Sequence, residues 1–174
     1  MKKLVFLLMF LAFSLTVFGQ NERNMTIKVY FTNTKFDPDM EDCNKVFPLT
    51  RKIPKTKATA KAALEELFKG VTAEEKEKGY WSLFAKENEA FLISVKVKKK
   101  SAFVNFKDIV VRDYGSATTS CGAGFIPQIE STLKQFPSIK KVFYAIEGDP
   151  EMFYEWMQVG ECPKELKNCS GKDF

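Results

Sequence analysis

The sequence predicts an α+β fold: a two-layer sandwich in which a mostly antiparallel sheet carries two main helices packed on one face. Three observations lead there. Period-two apolar patterning recurs near the start, middle and end of the chain. Two stretches switch to helical spacing. The resulting order of strand, strand, helix, short helix, hairpin, helix and strand contains no repeat of fixed period.

The opening MKKLVFLLMFLAFSLTVFGQ has two lysines, an apolar run from Leu4 to Phe18 and a small residue, the layout of a secretory signal peptide. The run is short for a bilayer span, and cleavage after Gly19 would leave Gln20 first. Residues 1–19 are therefore set aside, and the remainder suits one domain with its own core. Thr26 to Thr32 (TIKVYFT) reads as a first strand with Ile27, Val29 and Phe31 on one face. After the turn-rich DPDMEDCN, the run VFPLTRKIP alternates Phe47, Leu49, Arg51 and Ile53 against Pro48, Thr50 and Lys52. Its proline assigns it to a sheet edge.

Ala60, Ala63, Leu64, Leu67 and Phe68 follow at helical spacing, and Gly70 supplies the stop. Thr72 and Glu75 have capping-box spacing at the head of a short charged helix that Gly79 ends. YWSLFAKENEAF reads as a loop with buried aromatics. Phe91, Ile93, Val95 and Val97, then Ala102, Val104 and Phe106, flank a lysine-rich reversal and predict a β-hairpin. Lys96, Lys98 and Lys100 take the opposite face, which the pattern leaves to water. GSATTSCGAGF leads into a second helix, from near Gly122 to before Pro137. Phe125, Ile126, Ile129, Leu133 and Phe136 face its core, and Gln128, Glu130 and Lys134 face out. KKVFYAIEG closes with a strand that is apolar on both faces, which predicts a central position.

The segments PLTRKIPKTKATAKAALEELFKGVTAEEKEKGY, ISVKVKKKSAFVNF, GSATTSC and IESTLKQFPSIKKVFYAIEG resemble the GerMN domain of sporulation and spore-germination proteins and bacterial envelope lipoproteins. The likeness runs over about residues 26–150. Arg51 stands where that family has an arginine before its first helix. Leu67, Gly70, Thr72, Glu75 and Gly79 fall on its leucine-glycine-proline-threonine-glutamate-glycine pattern, with Val71 in the proline's place. Leu133, Phe136 and Gly148 match its closing helix and strand. The lipidated cysteine that many members carry after the signal peptide is missing. The resemblance implies a non-catalytic envelope domain shaped like the ring-building-motif domains of secretion and sporulation machines. The expected organisation is a signal peptide over 1–19, a GerMN-like domain over 20–150 and a C-terminal extension with a local disulfide loop over 151–174.

Charge and composition narrow the function. The net charge of +5 falls to +3 once Lys2 and Lys3 are removed, a mild bias that does not predict a nucleic-acid binder. The chain has no histidine, which removes Ser-His-Asp and Cys-His catalysis and histidine-bound metal sites. Cys43, Cys121, Cys162 and Cys169 are an even set in an exported chain, so two disulfides are expected, with three connectivities open by count. Cys162 and Cys169 enclose only PKELKN and are expected to pair, which leaves Cys43 for Cys121. A bond of that loop length is worth up to about 4–5 kcal/mol. Cys121 as a nucleophile would need a lysine or a helix N-terminus to form thiolate. Phosphate cradling at GSATTSCGAG lacks the Walker and dinucleotide spacings. DPDMED as a calcium loop lacks a sixth-position glycine and has Pro48 at position twelve. No cofactor or metal is expected.

The candidate binding residues are Arg51, Lys96, Lys98, Lys100, Tyr154 and Trp156. Arg51 on an apolar face calls for a partner, with Glu65, Glu147 or Asp149 as candidates. Lys96, Lys98, Lys99 and Lys100 form either a basic finger for anionic envelope polymers or a solvated face that blocks edge pairing. Tyr80, Trp81, Tyr154 and Trp156 are core aromatics, or a patch for protein or glycan if Tyr154 and Trp156 are exposed together. The function expected is an exported binding or assembly module with an envelope protein or an anionic or glycan polymer as partner. The alternatives are a histidine-free hydrolase or transferase using Cys121 or a Ser-Lys pair, and a glycan-binding module.

Overall fold

A computed structural model describes residues 24–39, 42, 44–114 and 125–174. The signal-peptide expectation, Cys43, Cys121 and the glycine-rich stretch 115–124 lie outside them.

The α+β class holds, with the strands divided between two three-stranded sheets. β1 (Asn24–Asn33) is the middle of the first, pairing antiparallel with β2 (Phe47–Pro54) from Asn24 opposite Pro54 to Phe31 opposite Phe47. Its other edge pairs with the two-residue β3 (Tyr80–Trp81), only at Thr32 and Asn33. β2 is an edge strand, as Pro48 requires, since proline has no N–H for a second neighbour. The second sheet holds β4 (Leu92–Lys98), β5 (Ser101–Phe106) and β6 (Lys141–Ile146). β4 and β5 form the expected hairpin, and β6 runs parallel to β5.

Helix α1 (Thr59–Phe68) buries the five apolar residues of its periodic face. The short α2 (Ala73–Glu77) begins with the capping box: the Glu75 amide donates to Thr72 Oγ1 and the Thr72 amide donates to the Glu75 carboxylate. Two helices besides the expected ones are α3 (Ile109–Tyr114) and α5 (Pro150–Met157), with α4 (Phe125–Lys134) between them. The stretch expected as a loop after β3 contains a 3-10 turn over Lys86–Phe91, with Phe84 and Phe91 buried.

Helix α4 serves the free edge of β1. Beyond the reach of β3, the Lys28 amide donates to Gln135 Oε1 at 2.9 Å, and Gln135 Nε2 donates back to the Lys28 carbonyl at 2.6 Å. The Tyr30 amide donates to Thr132 Oγ1 at 3.1 Å. Side chains thus satisfy backbone groups that would otherwise seek another strand. This corrects the expectation for Gln128, which is fully buried on this helix and accepts from Ser82 Oγ.

Two further expectations change in the second sheet. β6 is an edge strand, and its double-sided burial comes from layers on either face. Tyr144 stacks on Phe153 of α5 at 4.6 Å, whereas Phe143 packs beside Phe103, which meets Phe174. The face assigned to water is therefore covered around Phe103 and Phe143 by the end of the chain. A bulge between Leu92 and Ser94 shifts the register of β4, and Ile93 and Val97, expected inside, are exposed. Residues of the expected extension, including Phe153, Met157, Leu166 and Phe174, belong to the same core cluster as β1 and α1.

Arg51 joins the first sheet to the α1–α2 turn. Its Nη1 donates to the Glu66 carbonyl at 2.7 Å and its Nη2 to the Gly70 carbonyl at 2.6 Å. The Glu75 carboxylate takes Nε at 3.3 Å and Nη2 at 2.6 Å, and Glu66 adds a looser ion pair at 3.8 Å. The guanidinium also lies 5.4 Å from the Phe31 ring centroid. The partners are thus Glu75 and Glu66, not Glu65, Glu147 or Asp149. Gly70 is held at φ +70°, where an added Cβ would lie 2.1 Å from the Phe84 carbonyl oxygen, so both backbone conformation and space demand glycine.

Replacing Arg51 with alanine would leave Glu75 and two helix-end carbonyls short of their donors. With both side chains largely buried (11% and 13% exposed), the expected loss is about 3 kcal/mol in urea unfolding, and lysine should restore only part of it. A loss below about 1 kcal/mol would mean that the pair is merely decorative. In the second sheet, the Tyr144 hydroxyl is buried with no hydrogen-bond partner among the described residues, and burial pushes its pKa well up. Tyr144→Phe removes that unsatisfied group while keeping the ring stack, so urea unfolding should show stability unchanged or raised by about 1 kcal/mol.

Candidate binding cleft

A concavity that gathers charge lies where the β4–β5 hairpin meets the end of the chain. Two residues connect the strands: Lys99 at φ 49° and Lys100 at φ 63°. Left-handed backbone at both positions is the type I′ geometry that matches strand twist, and it favours Asn and Gly. Here two lysines occupy it. The Lys100 carbonyl accepts from the amides of Lys140 (2.7 Å) and Lys141 (3.3 Å), tying the tip to the start of β6.

The opposite wall is the segment after α5. Cys162 and Cys169 are joined in the structure, with Cα atoms 5.6 Å apart, and Leu166 inside their loop is buried. Gly171 then passes so close to Gly148 that a Cβ would lie 1.8 Å from the Gly148 carbonyl oxygen. Phe174 meets the Phe103 ring edge-on at 5.5 Å. Charged contacts secure the segment: Lys98 to Asp173 at 2.6 Å, Lys141 to Glu165 at 2.7 Å, and Lys96 Nζ to the Phe174 carbonyl oxygen. The donated hydrogen bonds hold the Asp173 and Glu165 carboxyls below the usual carboxylate range.

Between these walls lies an open cleft of about 630 Å³. Phe103, Phe143 and Leu166 form its floor, Ser101 and Ser170 contribute hydroxyls, and Lys98, Lys99, Lys141, Lys167 and Lys172 surround Glu165 and Asp173. Five cations against two anions make it a basic site. A smaller hollow of about 320 Å³ lies between the start of α1 and the Val95/Val97 side of β4, with Lys57 and Lys61 at its rim.

The structure distributes the sequence-derived candidates unevenly. Lys96 and Lys98 are exposed and bonded to the chain's own end, and Lys98 lines the cleft, whereas Lys100 is exposed at the tip with its backbone tied to β6. Arg51 is engaged in the α1–α2 turn, remote in sequence and contact from the cleft residues. Tyr154 is buried, with its pKa pushed up to about 12 mainly by burial, and Trp156 is half-buried against Phe153. They do not form an exposed pair. Among the described residues, the exposed aromatics are instead Phe36 and Trp81. Phe36 stands on a turn whose amides donate to Asn33 Oδ1, and it packs beside Phe47. Lys141, Lys167 and Lys172 were missed because their relation to the hairpin tip is set by tertiary packing, although the C-x6-C spacing did mark the loop that carries Lys167. Among the described residues, no group of three or more histidine, cysteine or acidic side chains is placed to hold a metal, and no helix is long and apolar enough to cross a membrane.

The fold and the Arg51-centred turn define a GerMN-type α+β domain. Residues 28–151 match the family model Germane, described as sporulation and spore germination, and the chain belongs to that family. Among solved structures it is similar to the first GerMN domain of the sporulation protein GerM from Bacillus subtilis, at 26% identity and a TM-score of 0.54, covering 80% of this chain and 92% of that one. The tandem GerMN domains of the same Bacillus subtilis protein match at 24% identity and a TM-score of 0.54, again over 80% of this chain. The chain spans 44% of that tandem structure. No curated protein matches it.

The hairpin tip makes its own prediction. Lys99→Asn with Lys100→Gly relieves the left-handed strain at both positions and should raise stability by about 1 kcal/mol in urea unfolding. A decrease would show that the lysine side chains contribute more to folding than their backbone costs.

Proposed function

We propose that the chain is an exported, non-catalytic GerMN-like domain that acts as a binding or assembly module in the bacterial cell envelope. The observation that carries this reading is the family match over residues 28–151, whose described fold is shared with a GerMN domain of a sporulation protein. The leader-like residues 1–19 support export. The joined Cys162 and Cys169 suit an oxidising compartment. A basic cleft walled partly by that loop gives such a module a surface on which to bind. The family's description does not make the source a spore-former; assembly or adhesion in any envelope is compatible with the domain.

Export is tested by expressing the full chain in a bacterial host, fractionating the cells, and measuring intact mass and free thiols. The expected product begins at Gln20, leaves the cytoplasm and has no free thiol. A full-length cytoplasmic chain with reduced cysteines overturns the reading. A processed chain in which Cys43 and Cys121 both remain reduced, with Cys121 the reactive thiol, would favour the cysteine-enzyme alternative.

A further inference from the structure

We infer that the cleft between the β4–β5 tip and the Cys162–Cys169 loop binds an acidic polysaccharide through its carboxylates, a proposal that rests on the envelope reading above. Its chemistry is already displayed within the chain. Lys98 and Lys141 close on the carboxylates of Asp173 and Glu165 at 2.6 and 2.7 Å, so ammonium-carboxylate pairing is the contact this cleft makes. Lys99, Lys167 and Lys172 are exposed around the same space and form no ion pair of their own there among the described residues. Lys99 and Lys172 bear on Asp173 only through the intervening field. Three cations are thus available to a ligand carrying several separated negative charges.

The rest of the lining favours a glycan over a protein partner. A protein would ordinarily anchor through a large apolar or aromatic contact in a desolvated pocket. Phe103, Phe143 and Leu166 are 7%, 6% and 4% exposed, so the large apolar side chains of the lining are already taken up by the chain's own packing and none stands out as an anchor. Ser101 and Ser170 supply hydroxyls suited to sugar hydroxyls. Every cation is lysine, a mobile point charge able to follow repeated monoanions, with no rigid guanidinium fork for a fixed bidentate partner. The hairpin tip adds an independent pointer, since Lys99 and Lys100 occupy left-handed positions where Asn and Gly fit better. Charge is placed there against the preference of the backbone.

Binding of oligogalacturonate to the mature protein can be followed by calorimetry at low ionic strength, with neutral dextran, polyphosphate and polyglutamate as comparison ligands. Oligogalacturonate should bind, weaken steeply with added salt, and lose about tenfold or more in affinity in Lys99→Gln/Lys167→Gln/Lys172→Gln. These exposed positions leave the core intact, and an unchanged urea midpoint verifies that the variant is folded. Equal affinity in the triple variant, comparable binding of dextran, or no binding of oligogalacturonate overturns the proposal. Polyphosphate or polyglutamate binding about tenfold tighter overturns the assignment to a carboxylated glycan. Each of these failures leaves the export result standing, so the two readings fail separately.

Discussion

The guanidinium of Arg51 is the constraint around which the first half of the domain is arranged. It leaves an edge strand, crosses the Phe31 ring and terminates the last turn of α1 by binding the carbonyls of Glu66 and Gly70. Glu75, which balances its charge, also caps α2, so one carboxylate serves an ion pair and a helix start together. Removing any member of this set disturbs the relation between sheet, helix and turn. The arginine, glycine, threonine and glutamate of the family pattern are therefore explained by architecture, without recourse to a ligand.

The second half depends on a different device. Splitting the strands into two sheets leaves part of β1 with unpaired backbone groups, and α4 with the turn that ends it supplies Thr132 and Gln135 where a strand would otherwise add. A helix that both packs and mimics strand pairing holds the sheet's exposed margin closed. It also explains why a polar residue can be buried: Thr132 is inside because it bonds the Tyr30 amide, whereas Gln128 is inside with Oε1 bonded by Ser82 and Nε2 without a partner among the described residues.

Much of this was legible in the sequence because period and capping are local. The α1 face, the Thr72–Glu75 box, the proline-bearing edge and the lysine-tipped hairpin all declare themselves within a dozen residues. The helix α5 also carried a local sign, Asp149 before Pro150 at its start. What could not be read was who covers whom. Phe143 and Ala145 alternating with Val142 and Tyr144 show that both faces of β6 are covered, but a helix and a returning chain end cover a strand as well as two neighbouring strands do. The bulge at Ile93 likewise depends on pairing across the hairpin. The cleft was half legible: its lysine tip is a sequence run, whereas Lys141, Lys167 and Lys172 are brought to it by folding.

The family match stops at residue 151, whereas the wall bearing Glu165, Lys167, Lys172 and Asp173 comes afterwards. One side of the cleft thus lies within the family match, and the other, a strap packed onto the common core, lies beyond it. A different strap of the same length, fastened at the same apolar footholds, would present new chemistry without altering a strand or helix beneath it. In such an arrangement a surface can change by exchanging one segment, while the fold that carries it stays as it is.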